Sequence, residues 1–385
     1  MNNSNFNAET TGDLSGAKIT FDQSYGAPNI PLSPATSYAK NFFAKADNGN
    51  TSLDYLAFPS LAEVEDGKIA VAYKRGYSHA SDYSDLEVTY ADKATSEITS
   101  KTIIASSTTV RYQNPELITM PNGDTYCYTD IQNKDASVKR LGITIHKYNK
   151  ETVMWDYVTD QLYDDKGIQY GYVFDGICDG NRLYMLAMTF PELANQDYGS
   201  SVHIIYTDDN GSTYKFLTSL TDLLGVSINE SGFILHKDRF IIITRADNKQ
   251  VYIYSIDKKG NLINSINLTD KHRNIWVAAR PRLFTYNNRY YFTARNIPNI
   301  KQNNYQEYTL FEFNPDTLDV IKGTILDTRN GSGGDAYYGE HYINEKEGKK
   351  YIHFIIHATS FTSKPSIEDH VFVFDDVIEP NSDTE

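Results

Sequence analysis

Acidic and basic residues occur in this sequence at the two ends of short apolar segments that are joined by a polar turn. Glu230 and Arg245 are the clearest example, because the midpoint between them falls on Lys237-Asp238. An antiparallel hairpin that turns there places both side chains next to each other at its open end. A carboxylate beside a guanidinium is a charged arrangement that can hold or activate a polar ligand. The spacing therefore predicts a charged site at the end of this hairpin.

The hairpin belongs to a unit that recurs six times: an apolar strand, a tight polar turn and a second apolar strand. Turn pairs such as Asp-Gly, Asn-Gly and Asn-Asn suit the positive φ angles of tight hairpins. The six hairpins span residues 61–73, 117–128, 176–186, 233–243, 283–292 and 342–354. A second hairpin follows each of the first five, with turns near Asp92, Asn149, Asp209, Asp257 and Asp316.

Four strands in about 50–60 residues, repeated about six times, predict an all-β fold, a six-bladed β-propeller. The 30 Tyr and 18 Phe residues support a chain made of strands. The alternative is a β-sandwich or two all-β domains, which the sixfold recurrence of one hairpin disfavours. We expect one propeller domain over residues 51–378, an irregular N-terminal arm over 1–50 and a loose C-terminal tail over 379–385.

In a propeller the open ends of equivalent hairpins converge on one mouth of the central channel, a usual place for a ligand site. Residue pairs centred on the other turns are Pro59 with Arg75, Arg280 with Arg295, and Tyr338 with His357. Asp175 lies at a further hairpin mouth. Arginines gathered there would bind a carboxylate through forked, charge-assisted hydrogen bonds. The sequence thus predicts an axial pocket for an anionic ligand.

Composition excludes several other classes of protein. The 36 Lys and Arg against 50 Asp and Glu give a net charge of −14, which argues against broad binding to nucleic acid or anionic membranes. No apolar run approaches the ~20 residues of a membrane span, and the first residues lack the features of a Sec signal peptide. Cys127 and Cys178 are expected to be free core thiols, with one disulfide as the alternative.

No metal or cofactor is predicted. Histidines such as His146 and His203 lie within apparent strands and show no spacing that suits metal ligands. Neither a phosphate-binding loop nor a Ser-His-Asp motif is present in the sequence.

One turn carries a recognisable motif. Residues 207–214 fit the pattern S/T-x-D-x-G-x-T-W/Y/F, with Asp209 and Gly211 at its fixed positions. The stretch resembles the Asp-box, or bacterial neuraminidase repeat, of sialidase-like propellers. The motif acts structurally, because the Asp side chain accepts hydrogen bonds from backbone N–H groups of the turn while the aromatic residue packs beneath it.

The segment around Glu230 and Arg245 resembles the part of sialidases in which a glutamate begins a strand and an arginine ends the returning one. In that family three arginines clamp the substrate carboxylate, a tyrosine paired with a glutamate is the nucleophile, and an aspartate is the acid/base. The resemblance implies a catalytic Glu230 and a substrate-binding Arg245. It offers Arg280 as a further arginine, with Arg282 and Arg295 as rivals, and Tyr338, in the segment 334–339, as the nucleophile.

One departure from the family concerns its first arginine, which lies in a Y-R-I-P motif. The matching stretch here is Leu56-Ala57-Phe58-Pro59, so Ala57 stands in the place of the arginine. The resemblance therefore does not extend to ordinary exo-sialidase activity. Arg75 is the candidate substitute.

The stretch 73–79 contains an R-G-x-S-H segment similar to one in sialidase-like propellers of bacteriophage tail proteins. By that resemblance Arg75 and His79 belong to the site, with Asp82 or Asp85 as further acidic candidates. Phage tail proteins leave the cell by lysis, so the missing signal peptide fits a virion-associated protein, with a cytoplasmic location as the alternative.

Together these features predict a sialidase-like glycoside hydrolase that acts on an anionic bacterial surface glycan. A non-catalytic glycan-binding module, such as a phage receptor-binding protein, is the alternative, and a polysaccharide lyase is a third hypothesis. The expected partner is an oligo- or polysaccharide. The N-terminal arm would suit a homo-oligomer or attachment to a larger assembly.

Overall fold

The computed structural model describes residues 27–45, 54–79, 84–133, 139–193, 199–247, 250–298, 305–330, 336–359 and 364–378. These residues form six sheets. The sheets are the blades of a six-bladed β-propeller, so the fold class predicted from the repeated hairpins is confirmed.

The strands follow the chain in groups, one group for each blade. Two short strands come first, β1 (Leu32–Pro34) and β2 (Ala39–Ala44). Blade 1 has β3 (Tyr55–Glu65), β4 (Lys68–Gly76), β5 (Ser84–Asp92) and β6 (Ile98–Ser107). Blade 2 has β7 (Val110–Thr119), β8 (Thr125–Asn133), β9 (Arg140–Asn149) and β10 (Met154–Thr159). Blade 3 has β11 (Tyr172–Asp179), β12 (Arg182–Met188), β13 (Val202–Thr207) and β14 (Lys215–Ser219).

The later blades repeat this arrangement. Blade 4 has β15 (Ile228–His236), β16 (Arg239–Ala246), β17 (Val251–Asp257) and β18 (Leu262–Asn267). Blade 5 has β19 (Arg282–Tyr286), β20 (Arg289–Asn296), β21 (Tyr305–Phe313) and β22 (Val320–Asn330). Blade 6 has β23 (Gly339–Lys346), β24 (Lys349–Ala358) and β25 (Ser366–Val373). The helices in the described part of the chain are short: α1 (Leu220–Leu224), α2 (Leu268–Lys271) and α3 (Phe374–Val377). Within the described ranges, no helix has the length and apolar character to cross a membrane.

The chain divides into two compact units. One comprises residues 1–34 and 220–332, with blades 4 and 5, and the other comprises residues 35–219 and 333–385, with blades 1, 2, 3 and 6. Within each unit the first strands of neighbouring blades contact each other. In blades 1, 2 and 4 the last strand is far more exposed than the inner strands, as β6 shows against the almost fully buried β4. In blade 6 the strand β25 is almost fully buried, because β2 pairs along its outer edge.

The segment expected to be an irregular arm contains both β1 and β2, which corrects that expectation for its described part. β2 pairs antiparallel with β25 and completes blade 6, whereas β1 pairs parallel with β22 at the edge of blade 5. Both pairings satisfy backbone groups that an edge strand would otherwise expose. Residues 1–26 and the predicted tail at 379–385 lie outside the described part of the chain, so the domain bounds stay predictions.

The turn at residues 207–214 is held by its own side chains. Asp209 Oδ1 accepts a hydrogen bond from Thr213 N at 2.9 Å, and Thr213 Oγ1 donates to Asp209 Oδ2 at 2.6 Å. Gly211 N donates to Thr207 Oγ1 at 3.0 Å. Tyr214 is buried beneath the turn. The hydrogen bonds from Thr213 are the largest cause that lowers the pKa of Asp209 to about 2. Asp209 and Gly211 therefore stabilise a turn.

The two cysteines lie in different surroundings. Both are free thiols, and Cys127 is buried in the core between blades 1 and 2. Cys178 is exposed, so the expectation of two core thiols is wrong for this residue. The reason is its place near the turn end of β11, where the strand loses the cover that buries its first residues.

Candidate functional site

Glu230 and Arg245 form an ion pair at the open end of the β15–β16 hairpin. Arg245 Nη1 donates to Glu230 Oε2 at 2.8 Å. The Glu230 side chain is 12% exposed and the Arg245 side chain 37% exposed. A register shift between Ile228 and Ser231 places Glu230 in a bulge opposite Arg245. The pair is thus built into the strand ends and remains accessible from solvent.

A network of short hydrogen bonds holds the bulge that carries Glu230. The Glu230 backbone N–H donates to Asn229 Oδ1 at 2.6 Å, and Asn229 Nδ2 donates to Asp247 Oδ1 at 2.8 Å. Ser231 Oγ donates to the Asn229 carbonyl at 2.8 Å and is also hydrogen-bonded with Thr244 Oγ1. Since these groups fix the backbone on both sides, the carboxylate of Glu230 is pre-positioned by the fold.

Three further arginines of the same unit lie at the entry of blade 5, where Arg280, Arg282 and Arg295 are all buried. The first strand of blade 4 passes very close to this segment, because a Cβ on Gly232 would clash with the carbonyl oxygen of Pro281. The close contact brings the chain around Arg280 and Arg282 next to β15, the strand that carries Glu230.

The spacing predicts Arg295 opposite Arg280, but Arg295 lies opposite Ala278, two residues earlier in the chain. Arg295 Nη2 donates to the carbonyl of Ala278 at 2.5 Å, and Ala278 N donates to the carbonyl of Arg295 at 2.8 Å. The ladder of β19 begins only at Arg282, opposite Thr293. Residues 279–281 bridge the two pairings as an irregular segment, since Pro281 has no N–H for a ladder.

Blade 5 also contains a buried acid that the sequence patterns did not indicate. Glu307 lies opposite Asn296 in the ladder of β20 and β21, and burial raises its pKa above the ordinary value. A raised carboxyl pKa is typical of residues that donate protons near neutral pH. The signal available in the sequence is its place near the start of β21, opposite the end of β20, the strand that carries Arg295.

In the other unit, Arg75 is engaged in a buried ion pair. Its Nε lies 2.8 Å from Glu87 Oε2, and Lys101 Nζ lies 2.8 Å from the same oxygen. The residue expected opposite Arg75 in the β3–β4 ladder is also wrong, because Arg75 lies opposite Leu56 rather than Pro59. A register shift between residues 57 and 60, where Phe58 has a φ of 59°, displaces the strand.

Phe58, His79, Tyr338 and His357 form an aromatic group that we name the Phe58 cluster. The centroid of the Phe58 ring lies 5.2 Å from those of His79 and Tyr338, and 5.4 Å from that of His357. Tyr338 is buried and stacks on His357, with ring centroids 5.3 Å apart. The two are opposite each other, since His357 N donates to the Tyr338 carbonyl at 3.1 Å. Phe58 N donates to His357 Nδ1 at 3.1 Å.

Two residues that the sequence patterns did not indicate hold the segment of His79. Lys74 Nζ donates to the His79 carbonyl at 2.7 Å and to Gln113 Oε1 at 3.0 Å. Gln113 Nε2 donates to the same carbonyl at 2.7 Å, and the Tyr55 hydroxyl lies 3.3 Å from His79 Nδ1. The midpoint of Gln113 and Asp130, its ladder partner, falls in the β7–β8 turn, so the spacing used for Glu230 could have found Gln113.

The remaining candidates have other hydrogen-bond partners or other surroundings, or cannot be placed. Asp82 falls outside the described residues. Asp85 Oδ1 accepts from Ser106 Oγ at 2.6 Å, and Asp175 Oδ1 accepts from Gly176 N at 2.9 Å. Ala57 is completely buried. Over the described ranges, no group of three or more His, Cys, Asp or Glu could hold a metal ion.

No family model and no curated protein sequence matches this chain. Solved structures do match. A Dyadobacter fermentans protein of unknown function is 14% identical with a TM-score of 0.64, and the match covers 87% of this chain and 98% of that one.

Two matched structures are glycan-acting enzymes by name. The Trypanosoma rangeli sialidase in complex with the inhibitor DANA is 15% identical with a TM-score of 0.55, over 88% of this chain and 58% of the sialidase. The Penicillium chrysogenum α-L-arabinanase complexed with arabinobiose is 12% identical with a TM-score of 0.57, over 89% and 100%. The chain therefore has a sialidase-like propeller fold, and it spans little more than half the length of that sialidase.

Proposed function

We propose that this protein is a sialidase-like glycoside hydrolase that acts on an anionic glycan through Glu230 and Arg245. The observation that carries the proposal is the 2.8 Å ion pair with a 37% exposed guanidinium side chain. The names of two structural neighbours, a sialidase and an arabinanase, support the class of reaction.

Arg245 is suited to hold a carboxylate of the substrate. A guanidinium presents five N–H donors in a rigid fork, so a ligand carboxylate can share it with Glu230. Such charge-assisted hydrogen bonds are stronger than neutral ones and fix the orientation of the sugar. Since the protein carries a net charge of −14, an anion is attracted only by arginines concentrated in one place. Arg280, Arg282 and Arg295 supply further positive charge within the same unit.

Glu230 is suited to activate the attacking group. Its carboxylate is largely buried, is paired with a guanidinium and is positioned by the Asn229 network. As a carboxylate it can accept a proton from a hydroxyl or a water molecule while the glycosidic bond breaks. The leaving sugar then needs a proton from an acid.

The other candidate residues enter the proposal through the family resemblance. It assigns the nucleophile to Tyr338, and acid/base or lining roles to His79, Asp82 and Arg75. The R-G-x-S-H segment supports a phage tail or another virion-associated assembly, and a homo-oligomer built through the arm belongs to the same hypothesis.

A second candidate function is glycan binding without catalysis. Ala57 occupies the place of the first sialidase arginine and is fully buried, while Arg75, its candidate substitute, is engaged with Glu87. This observation favours retention of a glycan over its cleavage.

The test compares Arg245→Ala with a matched control, Arg182→Ala. Arg182 forms an exposed ion pair with Asp208 at 2.6 Å and has a 38% exposed side chain, but it lies at the turn end of its hairpin. Wild type and both variants are incubated with polysialic acid and acidic capsular polysaccharides, and released sugar and retention in an affinity gel are measured.

We expect Arg245→Ala to lose at least ~100-fold in kcat/KM, as removal of one charge-stabilising donor does in other sites, while Arg182→Ala keeps wild-type activity. Retention without sugar release by the wild type would support the binding module instead. Release of a product that absorbs in the ultraviolet would indicate a lyase. Full activity of Arg245→Ala would refute the assigned role.

A further inference from the structure

A cavity of about 710 Å³ lies between blade 2 and blade 3, in the unit that does not contain Glu230 and Arg245. Its wall is formed by β8, by the segment after β10 and by the turn that leads into β14. Residues that face the cavity include Tyr126, Gln161, Tyr163, Asp165, Tyr214 and Lys215. The volume falls within the range of small-molecule sites.

Both walls of this cavity are held rigid by hydrogen bonds. Asp164 Oδ1 accepts from the backbone N–H groups of Lys166 and Ile168 at 2.9 and 3.0 Å. Its second oxygen accepts from the Tyr170 hydroxyl at 2.7 Å. Asp165 Oδ1 accepts from Phe216 N at 2.9 Å and so ties this loop to blade 3. The opposite wall is the turn stabilised by Asp209. A ligand would therefore bind to a preformed site, and little conformational entropy would be lost when it binds.

Two tyrosines from separate segments, Tyr163 and Tyr126, supply the aromatic surface, and the buried Tyr214 forms part of the wall. Tyr163 is 36% exposed, and Tyr126 is half-buried. Tyr214 is fixed from behind, because its hydroxyl is hydrogen-bonded with that of Tyr128 at 2.7 Å. Tyrosine rings offer flat apolar faces beside polar tips, which suits a ligand with C–H faces and hydroxyl groups. Gln161 and Asp165 add exposed hydrogen-bonding groups at the same wall.

The charge of the lining disfavours an anion. Its side chains that carry a charge at neutral pH are Asp164, Asp165 and Lys215, and the Lys215 ammonium lies 3.2 Å from Asp208 Oδ2. The unit that contains Glu230 and Arg245 differs, because its further candidates Arg280, Arg282 and Arg295 are all positively charged. We propose that the cavity is a second saccharide-binding site, which takes a neutral sugar unit stacked on Tyr163. The inference goes beyond the proposed function and does not depend on hydrolysis.

The experiment measures retention of the full-length protein in affinity gels that contain arabinan, galactan, mannan or β-glucan. Saturation-transfer NMR with the matching oligosaccharides gives the dissociation constant. The matched control is Tyr157→Ala on β10, because that side chain is 62% exposed and does not line the cavity. Tyr163→Phe keeps the ring and removes only the hydroxyl.

We expect the wild type to bind at least one of these neutral glycans. Tyr163→Ala should weaken that binding at least ~10-fold, as loss of an anchoring aromatic side chain does in other interfaces, while Tyr163→Phe, Tyr157→Ala and Arg245→Ala stay within about threefold of the wild type. Absence of binding to all four glycans, an equal loss in Tyr157→Ala, or Tyr163-dependent binding of an acidic glycan instead would each overturn the proposal. Loss of hydrolysis with retained neutral-glycan binding would count against the proposed function alone.

Discussion

The Glu230–Arg245 pair and the Phe58 cluster occupy equivalent places, the open ends of blade hairpins, and yet they differ in chemistry. The first is a charged pair whose guanidinium side chain is 37% exposed. The second packs four rings together and buries Tyr338. Even the arginine next to the Phe58 cluster, Arg75, forms a buried ion pair. One repeated backbone unit therefore carries a partly exposed ion pair in one blade and an aromatic cluster with a buried tyrosine in another.

The difference follows from what surrounds each strand end. At Glu230 the bulge is stabilised by hydrogen bonds that the Glu230 N–H and Ser231 Oγ donate to Asn229, and the largely buried carboxylate pairs with the more exposed guanidinium of Arg245. At Phe58 the bulge carries an aromatic side chain that packs against the rings of His79 and His357. The polar bulge thus carries an ion pair, whereas the apolar bulge packs among aromatic rings.

The largest effect that would separate the two regions concerns Tyr338. If it is the nucleophile, Tyr338→Phe should lower kcat at least ~1000-fold, or about 4 kcal/mol in activation free energy. The ring stacking on His357 remains, so the thermal unfolding midpoint should change little. The adjacent tyrosine, Tyr337, is also buried, and Tyr337→Phe is the matched control that should stay active. Turnover by Tyr338→Phe near the wild-type rate would place the Phe58 cluster among the packing elements alone.

The two ion pairs should respond differently when their carboxylate is neutralised. Glu87→Gln removes the carboxylate that contacts the buried Arg75 guanidinium and should lower the free energy of unfolding by about 3 kcal/mol. Glu230→Gln should cost under about 1 kcal/mol, because the guanidinium of Arg245 stays in contact with solvent. Urea denaturation measures both values. Equal losses would show that the Glu230 pair is as structural as the Glu87 pair.

The contact between blade 4 and blade 5 can be tested at Gly232, the fifth residue of β15. Gly232→Ala directs a methyl group at the carbonyl of Pro281, a backbone atom that cannot rotate away, and should cost about 2–3 kcal/mol. Gly176 is the fifth residue of β11, where the added Cβ would meet the Ile118 side chain at 2.9 Å. Since that side chain can adjust, Gly176→Ala should cost less. The reverse order would contradict the proposed rigid contact.

The smallest effect concerns His203, which lies in the same unit as the Phe58 cluster, and the loss of folding stability at low pH. Burial, with a smaller contribution from Lys166, lowers the pKa of His203 to about 3. Below pH 6.5 the unfolded chain binds a proton there and the folded chain does not, so stability falls as the pH drops towards 3. This difference in proton binding lowers the free energy of unfolding by about 1.4 kcal/mol at pH 5.5. His203→Gln should flatten the fall of unfolding free energy between pH 6.5 and 5; an unchanged slope would exclude His203 as its source.

Much of the fold could be predicted from the sequence because its signals are local. Alternating apolar residues and turn pairs such as Asn287-Asn288, which adopt φ angles of 48° and 61°, specify each hairpin within about a dozen residues. The pairing of Glu230 with Arg245 follows from the same local signal, because the two residues lie at equal distances from the turn of one hairpin. Such residues come together when the hairpin forms, without any contact to a distant part of the sequence.

Other features depend on contacts that are distant in sequence. The pairing of β2 with β25 joins residues 39–44 to residues 367–371. A local sequence pattern cannot predict a partner strand so far away in the chain. The bulges at Phe58, at Asn229-Glu230 and at residues 279–281 shift the register where blades press together, which displaced the expected partners of Arg75 and Arg295.

The sequence by itself determined the number of blades, the position of each hairpin and the pairing of Glu230 with Arg245. Only the tertiary structure decided which strand ends stay open to solvent, that Arg75 is buried against Glu87, and that a tyrosine-lined cavity lies between blades 2 and 3. The physical reason is that hairpins follow from backbone propensity and short-range alternation, whereas burial and cavities follow from how the surfaces of separate blades fill the space between them.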